Sequence, residues 1–272
     1  MPTFLFVPAT RLDRVAKAVA SGADNIIIDL EDAVMDADKD ELYHALGEFA
    51  MSWDWQAFDK IWLRIVGVRH QDFAGDVRLL HLPFYGVVLP KVQSASDVAT
   101  LSALTDRPIL AVVECAKGVL AIPQIAGAGV WAMSYGCLDL ATSLGVIIGT
   151  PSAQVLFDRV RTELLLHSVA NKLHSPIESI YPDFRDDVGL TAYVKHWQEF
   201  GFGGQLLIHP KQVATVQALS FDEKRLAFAQ KIATHHDTTG EVVFAIDGVM
   251  VDLPLITWAG DYVARFTNHK RA

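Results

Sequence analysis

The 272-residue chain holds only two cysteines, Cys115 and Cys137. That is too few for a disulfide framework and points to a reducing, cytoplasmic setting. No apolar run approaches the roughly 20 residues that span a bilayer. The opening Met1-Pro2-Thr3-Phe4-Leu5-Phe6-Val7-Pro8 has no basic stretch ahead of a long apolar one, so it reads as a first strand and not a secretion signal. Positive charge is in deficit: 23 Lys and Arg stand against 32 Asp and Glu, a formal net charge of −9. This disfavours a nucleic-acid or anionic-membrane partner. A small anionic substrate stays open, because a few placed arginines and a cation make a locally positive pocket. No G-x-G-x-x-G opens the first helical segment, where Pro8-Ala9-Thr10 stands instead, and this counts against a doubly wound nucleotide-binding sheet. No His or Cys sits at a spacing suited to tetrahedral zinc.

Apolar residues, in contrast, make up 51% of the chain, enough for one large core. They recur in short β-branched runs at residues 4–7, 25–30, 60–65, 86–89, 109–113, 130–133, 179–181 and 205–208. Helical spacing fills 11–21, 39–53, 71–80, 94–104, 119–126, 151–174, 187–200 and 210–219, with Ser94 as a candidate N-cap and Pro151 in a first turn. Eight near-continuous apolar strands alternating with helices predict an α/β fold, the (β/α)₈ TIM barrel, over residues 1–220. Residues 221–272 leave the alternation. They predict a C-terminal extension with a charged helix over 222–235, a bend at Asp247-Gly248 and a last helix from Leu255. Such a piece packs on the barrel or on a neighbouring subunit.

Catalysis in such a barrel sits at the C-terminal ends of the strands. The polar residues expected there are Asp29, Glu31 and Asp32, then Arg64, Lys91, Glu114, Asp139, Tyr181, Asp183 and His209. Acids dominate, with two cations interleaved. Glu114 and Asp139 end successive strands, and two carboxylates with waters and a chelating substrate complete an octahedral Mg²⁺ shell. The competing reading pairs each with Lys91 or Arg64. Arg64 interrupts Trp62-Leu63-Arg64-Ile65 and suits a substrate carboxylate, or equally an ion pair with Asp29 or Glu31. Asp29, Glu31 and Asp32 are too many for one metal, and some of them orient Arg64 or a metal-bound water. Lys91 invites a Schiff base, yet its acidic surroundings raise an amine's pKa. Cys115 and Cys137 flank the two carboxylates and read as buried thiols. Arg11, Arg14 and Lys17 read as a solvated helix face or as contacts for a coenzyme A phosphate. Nothing in the spacing selects Asp252.

Several segments together resemble the HpcH/HpaI aldolase superfamily, on its citrate lyase β-subunit-like branch. They are Phe6-Val7-Pro8 with Arg11 and Arg14, Asp29-Leu30-Glu31-Asp32-Ala33-Val34, Leu89-Pro90-Lys91-Val92, Glu114 with Gly118, and Leu138-Asp139-Leu140. Tyr181-Pro182-Asp183-Phe184, Ile208-His209-Pro210 and Asp247-Gly248-Val249-Met250-Val251-Asp252 follow in the family's order.

The resemblance implies a Mg²⁺-dependent carbon–carbon lyase (Mn²⁺ as a substitute) on a TIM barrel, assembled as a homotrimer or from trimers. The implied substrate is a 3-hydroxy-3-carboxy acyl-CoA of the malyl, citramalyl or citryl kind, and the products a 2-oxo acid and an acyl thioester. By the same likeness Glu114 and Asp139 hold the metal, and Arg64 and Glu114 meet the substrate. Asp252 of a neighbouring subunit serves with Arg64 in catalysis, as the acid–base group. The family's usual V-R-V-N is Leu63-Arg64-Ile65-Val66 here, and its E-T-x-x-G is Glu114-Cys115-Ala116-Lys117-Gly118. Ser134-Tyr135-Gly136-Cys137 and Pro8-Ala9-Thr10 depart as well, which unsettles the choice of substrate. An acyl-CoA thioesterase, a Schiff-base aldolase using Lys91, and a non-catalytic binder of 2-oxo acids or CoA are the alternatives.

Overall fold

The computed structural model describes residues 2–32, 38–219 and 223–269. Ala33 and Val34 of the family-like segment, and Asp222 at the expected helix start, lie outside the described residues. The chain forms two compact units, Met1–Gln217 and Ala218–Ala272.

In the first unit the strands are β1 (Thr3–Pro8), β2 (Asn25–Asp29), β3 (Ile61–Arg64), β4 (Gly86–Leu89), β5 (Ile109–Val113), β6 (Ala132–Tyr135), β7 (Ile177–Glu178) and β8 (Gly204–Leu207). They form one parallel sheet in the order β6-β5-β4-β3-β2-β1-β8-β7, nearly closed into a barrel. Their apolar runs carry no alternation because each strand is buried on both faces. One face of every strand supplies a side chain to the axis: Phe4, Ile27, Trp62, Val88, Leu110, Ala132, Ile177 and Leu206. Gly86 makes room for the largest of them, since a Cβ there would lie 2.4 Å from the Trp62 ring.

Side chains point inward at every second residue. Stepping two positions onward from this apolar layer therefore reaches Phe6, Asp29, Arg64 and Ser134, and a further step from Val112 reaches Glu114. The register sets Asp29 opposite Arg64 on adjacent strands. The polar end of the barrel follows from where the apolar runs stop.

The helices are α1 (Val15–Ala20), α2 (Lys39–Ser52), α3 (Phe73–Asp76), α4 (Ala95–Ser102), α5 (Ala116–Leu120), α6 (Ile122–Ala126), α7 (Cys137–Leu144), α8 (Pro151–Ala170), α9 (Asp187–Glu199) and α10 (Pro210–Leu219). Several depart from expectation. The start of the helix expected over 11–21 is 3₁₀ over Ala9–Arg14, with Arg11 out of helical geometry at φ −131° and ψ 48°. That expected over 119–126 is two pieces, since Pro123, which has no N–H to donate, stands at the second position of α6. Ser94 does stand at the start of α4, but its hydroxyl donates to Asp97 at 3.0 Å instead of capping an amide. α8 stops at Ala170, four residues early, where Lys172 turns left-handed at φ 56°.

Two corrections bear on the site. β6 lies two residues further along than the run 130–133, and β7 is Ile177–Glu178, not 179–181. Asp139 consequently lies in the first turn of a helix, α7, which the sequence reading leaves unassigned. Among the described residues no ladder joins β6 to β7. One backbone bond, from the His174 amide to the Trp131 carbonyl at 3.0 Å, starts this seam and side chains close the rest: the Tyr135 hydroxyl donates to Glu178, and the Cys137 amide donates to Ser179 Oγ at 3.0 Å. Behind it Arg161 of α8 grips Glu178 through Nε and Nη2, each at 2.9 Å, and Tyr193 donates to the same carboxylate.

The second unit pairs α11 (Glu223–Thr239) with α12 (Leu253–His269), together with a hairpin of β9 (Phe244–Ile246) and β10 (Val249–Val251). Asp247 and Gly248 are both left-handed at its bend, φ 51° and 81°, which the two-residue I′ turn requires. Ala229, Ile232, Val251, Ile256 and Ala259 form its core. No helix among the described residues is long and apolar enough to cross a membrane.

Candidate active site

Arg64 ends β3 facing inward, with its guanidinium 4.7 Å from the centre of the Phe6 ring. Nε and Nη2 each donate to one Asp29 oxygen at 2.6 Å, so the fork that suits a carboxylate already holds one. Nη1 stands 3.1 Å from Glu31, and Nη2 stands 3.3 Å from Asp32. Burial works against the charge on Arg64, but the field and hydrogen bonds of Asp29, then Glu31 and Asp32, raise its pKa above the ordinary arginine value. The ion-pair reading of Arg64 is thus present in the structure.

Lys91 follows β4 in the left-handed region at φ 54°, a conformation that is strained for a side chain with a Cβ. That backbone turn aims two groups at once. The Lys91 amide donates to Glu114 Oε2 at 3.0 Å, and the ammonium reaches Glu31 Oε1 at 2.7 Å. Burial lowers the amine's pKa, but the bond to Glu31 and the fields of Glu31, Asp32 and Glu114 outweigh it and raise the value. A cation held this way is a poor Schiff-base nucleophile.

Glu114 follows β5 and is 5% exposed. Burial, then the nearby charge of Glu31, raise its pKa to about 8; Arg64 opposes them and Asp139 adds to them. Gly136 lies against it, since a Cβ there would stand 2.7 Å from Glu114 Oε1. Asp139 is half-exposed on α7. Two carboxylates whose fields reach each other, one crowded into protonation, leave a place that a hard divalent ion would relieve. Among the described residues no group of three or more His, Cys, Asp or Glu could hold a metal. Two protein ligands match Mg²⁺, which keeps waters and takes substrate oxygens for the rest. The donor set fits.

A cavity of about 550 Å³ opens beside these residues, bordered by Glu31, Asp32, Val66, Arg69, Lys91 and Gln93. Its loop is fixed by Asp76, a fully buried acid that the sequence reading passes over. Asp76 accepts from the Val66 amide at 2.9 Å, the Tyr43 hydroxyl at 2.7 Å and Lys39 at 3.1 Å. Val66, where the resemblance led to an expected Asn, is buried and offers no polar side-chain group.

Other expected site residues serve local structure. The Tyr181 hydroxyl donates to Asp186 at 2.7 Å, and Asp183 accepts the Arg185 amide at 2.9 Å. His209 stacks on Phe184 with ring centres 4.4 Å apart. Arg11 pairs with Asp13 at 2.7 Å. Cys137 is buried, and burial raises its thiol to about 11, which makes it unreactive. Asp252 belongs to the second unit, where its Oδ1 accepts from the Leu255 amide at 3.4 Å at the start of α12.

The fold and this mouth define a (β/α)₈ barrel whose C-terminal face gathers five carboxylates around one arginine and one lysine. The model of the HpcH/HpaI aldolase/citrate lyase family matches residues 3–210. The chain belongs to that family. A citrate lyase subunit beta-like protein of Mycobacterium tuberculosis is 32% identical, over 97% of this chain and 95% of its own. A (3S)-malyl-CoA thioesterase of Cereibacter sphaeroides is 31% identical, over 91% of this chain and 88% of its own. Among solved structures, M. tuberculosis CitE in complex with magnesium, acetoacetate and coenzyme A superposes with a TM-score of 0.84 at 31% identity, covering 97% of both chains.

Proposed function

We propose that this chain is a Mg²⁺-dependent carbon–carbon lyase acting on a 3-hydroxy-3-carboxy acyl thioester of the malyl, citramalyl or citryl kind. One observation carries the reading: Glu114, buried past the end of β5, held by the Lys91 amide and packed against Gly136 at the start of α7, lies within the field of Asp139. The CitE complex with magnesium, acetoacetate and coenzyme A supports it.

Glu114 and Asp139 would hold the ion, which supplies Lewis-acid polarisation of the substrate's oxygens. Arg64 turns its outer edge to the substrate carboxylate. There the contacts to Glu31 and Asp32, at 3.1 and 3.3 Å, are looser than those to Asp29. Asp29 keeps the guanidinium in place, and placement within about 1 Å governs rate. Lys91 pairs with Glu31 through its ammonium and presents its amide to Glu114. Cleavage breaks the bond between the thioester α-carbon and the hydroxyl-bearing carbon. The hydroxyl proton would pass to the carboxylate of Asp252 of a neighbouring subunit, and the same group, now protonated, would return it to the α-carbon of the enolate. Met250 and Leu253, 72% and 60% exposed near Asp252 in the chain, offer apolar surface for such a contact between subunits. Residues 221–272 are then the arm that packs on the barrel or reaches the neighbour.

Purified protein incubated with Mg²⁺ and malyl-, citramalyl- or citryl-CoA is expected to release a 2-oxo acid and an acyl-CoA, and EDTA to stop it. Release of free coenzyme A with malate would identify a thioesterase, as in the C. sphaeroides relative. Full turnover after EDTA, with borohydride trapping a 2-oxo acid on Lys91, would overturn the metal reading. Mg²⁺-dependent ligand uptake without turnover would leave a binder.

A further inference from the structure

The first turn of α7 poses a conflict. A helix leaves its first amides without partners, and the residue before it usually supplies a side-chain oxygen. Here that residue is Gly136, which makes no side-chain cap. It has no room for a side chain, because a Cβ would stand 2.7 Å from both Glu114 Cγ and Glu114 Oε1. The space that Glu114 needs therefore removes the ordinary cap from the helix that carries Asp139.

An acceptor for the helix's first amide comes instead from across the seam. Ser179, just past β7 and 1% exposed, takes the Cys137 amide on Oγ at 3.0 Å. The Cys137 thiol lies 3.6 Å from the Ile180 carbonyl, and Tyr135 is tied to Glu178. All three contacts cross the one seam without a ladder. They fasten Tyr135 and Cys137, the latter two residues ahead of Asp139, where β6 has a backbone ladder on its β5 side only.

We infer that Ser179 is a positioning residue for the metal: by capping α7 across the β6–β7 seam it fixes Asp139 relative to Glu114. This rests on the metal reading above. Groups that orient ligands in this way alter metal affinity about 10–100-fold when removed. A merely structural serine would lower stability and leave affinity alone.

The test measures Mg²⁺ affinity by calorimetry, with Tm alongside, in wild type, Ser179→Ala, Thr150→Ala and Glu114→Gln. Thr150 caps α8 through the Ala153 amide at 3.2 Å and serves as the control for loss of a helix cap. Ser179→Ala is expected to weaken Mg²⁺ about tenfold. Thr150→Ala should lower Tm with affinity within about twofold of wild type. The inference is overturned if Ser179→Ala binds Mg²⁺ as wild type does, or if both cap variants weaken it alike. Absence of Mg²⁺ uptake by wild type, or its persistence in Glu114→Gln, would instead sink the metal reading itself.

Discussion

Replacing Glu114 by Gln is expected to abolish Mg²⁺ uptake and turnover while making the metal-free protein more stable at alkaline pH. The unfolded carboxyl ionises near its ordinary value, whereas the folded one holds its proton to about 8. Between those values the folded state binds the extra proton, so this group's contribution to stability falls as pH rises. The fall is at most about 1.4 kcal/mol per pH unit and is complete above about pH 8. Gln escapes that loss and keeps an oxygen for the Lys91 amide. The Tm advantage of the metal-free variant should therefore grow from pH 5 to pH 9. Saturating Mg²⁺ should raise the Tm of wild type, since a ligand bound only to the folded state stabilises it, and leave the variant unmoved. Thermal scans across pH, with and without Mg²⁺, check both halves. A Tm difference that stays flat with pH would refute the burial of a charged group at this position.

Arg161→Met is the second large effect, and it is one of stability. Arg161 and Glu178 are 1% and 0% exposed, and the guanidinium also reaches Asp158 at 2.7 Å. Burial opposes the arginine's charge, but the hydrogen bonds and field of Glu178 overcome it and raise its pKa. Removing the cation alone leaves a carboxylate in the interior with only the Tyr135 and Tyr193 hydroxyls. Breaking a buried pair on one side costs about 3–5 kcal/mol, or roughly 10 °C in a chain of this size. Removing both charges, as Arg161→Met with Glu178→Gln, should recover much of that loss, because no stranded charge remains. Urea titrations of the two variants give the comparison. A double variant no better than the single one would mean that packing, not charge, accounts for the loss.

The barrel is legible in the chain because doubly buried strands read as unbroken apolar runs, and the ends of β2, β3 and β5 deliver Asp29, Arg64 and Glu114 directly. Legibility fails around the seam. β7 has two residues in its ladder, too few for periodicity, and Ser179 and Glu178 reach polar partners there that no spacing rule links to 135 or 137. α7 is eight residues long and opens on a glycine instead of a capping residue, so its start carries no signal. Arg161 did carry one: it lies within the apolar stripe Phe157, Val160 and Leu164 of α8, and an arginine on such a stripe needs a buried anion. Asp252 is beyond any reading of local pattern. Only likeness to the family selects it.

A cylinder joined along seven edges by peptide ladders and along the eighth by side chains and a single peptide bond, from the His174 amide to the Trp131 carbonyl, has one weak stave. Each side-chain link there consists of one or two atoms and ends on a residue that a single substitution removes. Native-state hydrogen exchange should accordingly find the amides of Ser134, Tyr135 and Glu178 opening at lower free energy than those of Ile27 and Leu63 across the barrel. Uniform protection around the ring would mean that the stitching is as firm as a ladder.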